Sequence, residues 1–167
     1  MQLDKLNYLS CLAVLKAFKY TTKQTFSIKW PNDIYLHDKK VSGILIESQS
    51  CGKDIILSLG IGINIDIDES FNVNQPHSNL GKDIDHTELV YLFCNNLVNF
   101  LSAENYDELV KEFNTYLFAI NKYVSISLGN LVHEGVLLGI NKHGMLELNS
   151  GNKVLTINDI NSTLRIL

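Results

Sequence analysis

The chain has 167 residues, 46% of them hydrophobic and 19% charged, with a formal net charge of −4. That balance excludes a disordered chain, and the length suits one core or a core with a small appended module. An acidic chain offers no basic face for a phosphate backbone, which excludes nucleic acid as the expected partner.

Residues 3–20 read as a helix, with Leu6, Leu9, Ala13 and Val14 spaced for one buried face. Residues 26–30 read as a short strand ended by Pro31-Asn32-Asp33. Residues 34–36, a polar turn at His37-Asp38, and residues 40–48 read as a hairpin. Residues 54–66 form a further strand candidate, followed by a Pro- and Asn-bearing loop up to Gly81. Asp85 then offers an N-cap with Glu88 three residues on, opening a helix whose buried stripe is Leu89, Leu92, Phe93, Leu97, Phe100 and Leu101. A second helix is predicted over residues 104–120, anchored by Leu109, Phe113 and Leu117. Beyond Asn121 the texture changes to short strands at 123–128, 131–140, 145–148, 153–157 and 163–167, separated by Gly- and Asn-bearing turns. Such closely spaced strands predict a small barrel packed on the first part, giving units of residues 1–120 and 121–167.

Cys11, Cys51 and Cys94 are far apart and show no C-x-x-C spacing, which predicts free thiols and a reducing, cytoplasmic setting. The five histidines form no metal-ligand pattern, no apolar stretch is long enough to cross a bilayer, and residues 1–5 lack the form of a secretory signal.

Three constellations carry the chemistry. In Lys29-Trp30-Pro31-Asn32-Asp33 the proline breaks a strand and makes a stiff corner from which the Asn32 and Asp33 side chains emerge; an ordinary turn is the plainer alternative. In Lys40-Val41-Ser42-Gly43-Ile44-Leu45, a turn at His37-Asp38 pairs Tyr35 with Lys40 and Asp33 with Ser42. Alternation then puts Asp33, Lys40 and Ser42 on one face, with Gly43 opposite Asn32; a solvated hairpin lysine is the alternative. In Gly60-Ile61-Gly62-Ile63-Asn64 the isoleucines face the core, leaving Gly60, Gly62 and Asn64 as a bare face for a flat ring, or for close sheet packing. The phosphate-cradling glycine spacings are absent.

Taken in order, K-W-P-N-D, then K-K-V-S-G-I-L-I-E, then G-I-G-I-N resembles the catalytic core of biotin–protein ligases, and the terminal strands resemble that family's SH3-like C-terminal domain. The resemblance spans essentially the whole chain. It implies an α+β fold, a mixed sheet with packed helices like that of class II aminoacyl-tRNA synthetases and biotin ligases, followed by the small SH3-like barrel. It also implies an enzyme that activates biotin with ATP and passes it to a lysine of a carboxylase's acceptor domain. Lys40 and Lys29 match catalytic lysines, with Lys40 contacting biotin and the activated phosphate. Lys29, Asn32 and Asp33 match the motif on the ATP side. Gly43 matches the strand glycine beside biotin, and Gly60, Gly62 and Asn64 the strand under the adenylate. Mg²⁺ would bridge the phosphates, with Asp33 a candidate contributor. Lipoate–protein ligases share the fold but lack Trp-Pro before Asn-Asp and the Gly-Ile-Leu-Ile-Glu strand, so lipoate is the weaker alternative. A non-catalytic domain that binds biotin-acceptor proteins is the other.

The chain departs from the family in one respect. Its one arginine, Arg165, leaves no place for the family's earlier Gly- and Arg-rich loop. The expectation is therefore a fragment, a split enzyme completed by a second polypeptide or copy, or a degenerate copy. Such a chain is expected to bind biotin weakly or not at all, and not to biotinylate by itself.

Overall fold

The computed structural model describes residues 5–67, 76–159 and 162–167. Helix α1, Leu6–Thr22, has no side-chain cap at its start and ends at Lys23, whose left-handed backbone (φ 58°) lets its N–H bond the Lys19 carbonyl. A single buried stripe was expected. Instead Tyr8, Cys11, Leu12, Leu15 and Phe18 are buried together with Leu9, Ala13 and Val14. α1 is enclosed because it packs against both a sheet and two other helices, and an apolar sequence on nearly all sides is what that position requires.

The first sheet holds β1 (Phe26–Lys29), β2 (Asp33–Leu36), β3 (Lys39–Cys51) and β4 (Asp54–Ile63), antiparallel in the order β1-β2-β3-β4. Phe26, Ile28, Ile34, Leu36, Val41 and Ile44 supply its buried face toward α1. β2 and β3 turn at His37 and Asp38, both with positive φ (50° and 61°), the tight hairpin geometry whose twist matches the strands.

The expected register holds next to that turn, where Tyr35 faces Lys40, and then slips. Ile34 pairs with Ser42 and Asp33 with Gly43, so Val41 is the extra residue of a β-bulge. The expectation that Ser42 shares a face with Asp33 and Lys40 is thereby corrected. Val41 and Ser42 are both buried, and Gly43 takes the place beside Asp33. Gly43 does not sit as a simple ladder partner of Asn32. Instead the Ile44 N–H donates to the Asn32 carbonyl at 2.9 Å.

Helix α2, His86–Leu101, starts where the capping pattern placed it: the Asp85 carboxylate accepts from the Thr87 and Glu88 N–H groups. Its predicted stripe faces inward, with Leu89 and Phe100 buried and Leu92, Phe93, Leu97 and Leu101 partly buried against the core. Helix α3, Asp107–Tyr116, is shorter than predicted. Leu117 turns extended to bridge Ile28, and the Phe118 N–H bonds the Ile28 carbonyl, covering the outer edge of β1.

The second sheet holds β5 (Tyr123–Leu128), β6 (Leu131–Ile140), β7 (Leu146–Ser150), β8 (Lys153–Ile157) and β9 (Thr163–Ile166), antiparallel in the order β8-β7-β6-β5-β9. One continuous apolar cluster runs from α1 and the first sheet into Val124, Ile126, Leu137, Leu146 and Leu148. Asn114 of α3 fastens the junction, accepting from the Ile140 N–H at 2.8 Å and donating to its carbonyl at 3.1 Å. Gly139 lies against that amide at φ 133°, where a Cβ would stand 2.8 Å from Asn114 Oδ1.

Candidate functional site

At its Gly43 end, the outer face of the β3–β4 ladder is almost bare of side chains. Gly43 pairs with Gly62 and Gly60 with Leu45, so backbone and one exposed leucine form the floor of an open groove of about 510 Å³. Asn32, Asp33, Lys40, Gly43, Ile44, Leu45, Gly60, Ile61 and Gly62 line it. The glycines have room around them: the nearest atom to a Cβ on Gly62 would be the Gly43 carbonyl oxygen at 3.9 Å. Sheet packing therefore does not demand glycine at 60 and 62, and the bare face belongs to the groove.

Lys40 closes one end. Its Nζ lies 2.6 Å from Asp33 Oδ1, and the bulge sets both groups over Gly43. Asn32 secures the corner from the other side by donating to the Ile44 carbonyl at 2.7 Å. The corner is also held from below, where Asn7 Nδ2 donates to the Pro31 carbonyl at 2.7 Å and the Cys11 thiol donates to the same oxygen at 3.6 Å. Burial, then the nearby Asp33 charge, pushes the Cys11 thiol far above its ordinary range. The Trp30–Pro31 bond is cis, and the Trp30 indole N–H reaches the Gly144 carbonyl at 3.4 Å, tying the corner to the β6–β7 loop.

Most residues singled out from the sequence thus meet in one place, and two stand apart. Lys29 Nζ bonds Tyr35 Oη at 3.2 Å and does not line the groove. Asn64 also lies outside the lining, donating instead to the Lys40 and Ser78 carbonyls. Ile44, Leu45 and Ile61 also line the groove, although the motifs do not single them out. Leu45 was within reach of strand alternation, since it lies two residues beyond Gly43 on the same strand face and is 59% exposed. Asn7 and Gly144 carried no local signal, because their partners lie 24 and 114 residues away.

Among the described residues, no three His, Cys, Asp or Glu side chains gather as a metal site, and no helix is long and apolar enough to cross a membrane. A second concavity of about 220 Å³, between α1, α2 and β4, has only apolar lining side chains apart from Cys94. Chemically, the first groove is the informative one. It offers a flat floor for a planar ring, an apolar contact at Leu45, and a fixed cation with its counter-ion at one end.

Residues 2–66 match the model of the Biotin/lipoate A/B protein ligase family. The chain is 30% identical over 131 residues to the Bifunctional ligase/repressor BirA of Escherichia coli (strain K12), an alignment that takes in 72% of this chain and 40% of that protein. The chain therefore spans about two-fifths of that relative's length. It is also similar to the crystal structure of biotin protein ligase from Aquifex aeolicus, at TM-score 0.85 and 27% identity, covering 99% of this chain and 76% of that one. For the Aquifex aeolicus enzyme in complex with biotin and ATP, the TM-score is 0.81 at 28% identity, covering 100% and 73%. The glycine-floored groove, the Lys40–Asp33 pair and these likenesses point one way: residues 2–66, which hold the groove, form a domain of the biotin/lipoate A/B protein ligase family.

Proposed function

We propose that this chain is the biotin-activating part of a biotin–protein ligase, holding biotinyl-5′-AMP in the groove over Gly43, Gly60 and Gly62. The observation that carries this reading is the Lys40–Asp33 ion pair set over Gly43 at the end of a groove floored by backbone. The likeness to an enzyme described with biotin and ATP bound supports it.

In the first step a biotin carboxylate oxygen attacks the α-phosphorus of ATP, a P–O bond forms, and pyrophosphate leaves. Both reactants are anionic, so a cation fixed beforehand at the meeting point lowers the barrier without reorganising during reaction. Lys40 supplies that cation, and Asp33 keeps its ammonium aimed over Gly43. Mg²⁺ arriving with ATP would neutralise phosphate charge. In the second step the amine of an acceptor lysine attacks the mixed anhydride, an amide forms, and AMP departs. The acceptor would be the biotin carrier domain of a carboxylase, and the setting the cytoplasm. The division into a catalytic part, residues 1–120, and an SH3-like part, residues 121–167, belongs to the same reading. Its support is that each sheet closes within one part.

The test is calorimetric titration of the purified chain with biotinyl-5′-AMP and, in parallel, lipoyl-5′-AMP. Weak, saturable binding of the biotinyl ligand in preference to the lipoyl one is expected. Preference for lipoyl-5′-AMP, or equal failure of both, would overturn the assignment.

A further inference from the structure

A β-bulge has a cost that its position makes visible. Regular pairing of β3 with β4 begins only at Ser42, opposite Ile63, so the main chain of Lys40 and Val41 lies beyond the ladder on that side. Unbonded carbonyls at the edge of a buried sheet are unfavourable, and a bulge left loose would let Lys40 swing away from Gly43. The chain answers with Asn64, the residue that follows β4. Its N–H donates to the Val41 carbonyl at 2.9 Å, while its side-chain amide donates to the Lys40 carbonyl at 3.4 Å and the Ser78 carbonyl at 3.1 Å. The segment that Asn64 holds then grips Lys40 from both ends. The Lys40 N–H donates to the Pro76 carbonyl at 3.1 Å, and the Ser78 N–H donates to the Lys40 carbonyl at 2.8 Å. The Leu80 N–H donates in turn to the Asn64 carbonyl at 2.9 Å.

We infer that Asn64 is a positioning residue for the groove lysine, fixing the Lys40 main chain at the bulge, and not a residue that touches the ligand. This rests on the reading of the groove as an adenylate site, but the clamp is a property of the apo chain and is testable without any ligand. Asn64 does not line the groove, and its side-chain donors are directed at backbone carbonyls.

The first measurement is amide hydrogen exchange by NMR on the wild type, Asn64→Ala and Asn64→Asp. The aspartate keeps the shape and the backbone bonds but cannot donate to the two carbonyls. Exchange at the Lys40 and Ser78 amides should quicken roughly tenfold or more in both variants, with the β5 and β6 amides unchanged as a control for folding. Unchanged exchange at those two amides overturns the clamp. The second measurement is a double-mutant cycle on biotinyl-5′-AMP affinity. Asn64→Ala should weaken binding roughly tenfold when Lys40 is present and less than about twofold in a Lys40→Ala background, since its effect passes through that lysine. Equal losses in both backgrounds would make Asn64 a direct ligand contact and overturn the inference. If the wild type binds no adenylate, the groove assignment fails by itself, and the exchange result still decides the clamp.

Discussion

The Lys40 ammonium and the Asp33 carboxylate meet on a diagonal across the β2–β3 hairpin, and a Cβ placed on Gly43 would stand 3.1 Å from the Lys40 ammonium and 3.3 Å from Asp33 Oδ1. An ion pair this close to solvent contributes about 0–1 kcal/mol to stability, so its consequence is orientation more than fold. Both atoms a methyl would meet are the far ends of side chains, free to move aside. Gly43→Ala is therefore expected to fold with a stability change within about 1 kcal/mol by urea denaturation. The same variant should weaken biotinyl-5′-AMP binding by roughly tenfold or more, because the displaced ammonium no longer hangs over the groove floor. A large loss of stability would mean that Gly43 serves sheet packing.

The adjacent lysines should separate cleanly. Lys39 is exposed at the strand's start, whereas Lys40 is held by Asp33. Lys40→Ala should cost about 1.5–3 kcal/mol in biotinyl-5′-AMP affinity, the scale of a lost hydrogen bond to a charged group, and Lys39→Ala should be nearly silent. Equal effects in calorimetric titration would contradict the face assignment.

Asn114 predicts a stability effect remote from the groove. Its amide satisfies both the N–H and the carbonyl of Ile140, at the join between α3 and the second sheet. Asn114→Ala should lower unfolding free energy by about 1–3 kcal/mol, as unpaired part-buried groups do, read as a shifted urea midpoint with unchanged slope. Native-like stability would show that water replaces the amide without cost.

The cysteines predict a chemical pattern and a pH dependence. Cys51 and Cys94 are exposed and Cys11 is fully buried, so a thiol reagent should label the first two in the native protein and all three only after unfolding. Because burial raises the Cys11 thiol above its ordinary value of 9.0, the unfolded chain releases that proton first as pH rises. The folded state holds more protons there, so this thiol lowers stability above about pH 9 and has no effect below it. Cys11→Ala should flatten that alkaline fall in melting temperature. An unchanged alkaline slope would show that another group is responsible.

Much of this arrangement was legible in the sequence because it is local. The His37–Asp38 turn, the Asp85 cap and the strands between Tyr123 and Ile157 follow from turn chemistry and alternation over a few residues. The bulge at Val41 was not legible. No glycine or proline marks it, and strict alternation carried the register one residue too far, putting Ser42 where Gly43 belongs. The enclosure of α1 was missed because a single helix's pattern does not reveal how many neighbours it has. Lys29 reads as a groove residue from its motif, yet the Tyr35 hydroxyl draws its ammonium away. The contacts that hold the corner, from Asn7 and Gly144, depend on the completed fold.

The groove itself is most directly tested at Gly62. It is exposed, nothing lies closer than 3.9 Å to a Cβ there, and valine suits a strand, so Gly62→Val should leave the thermal midpoint nearly unchanged. Its side chain would occupy the space over the floor that the adenylate needs. Titration of the wild type and this variant with biotinyl-5′-AMP, each melted with and without ligand, is the decisive measurement. Saturable binding and ligand-dependent stabilisation in the wild type, both lost in a variant that folds as well, is the predicted result. Equal binding by the two proteins would contradict the placement of the adenylate on this face.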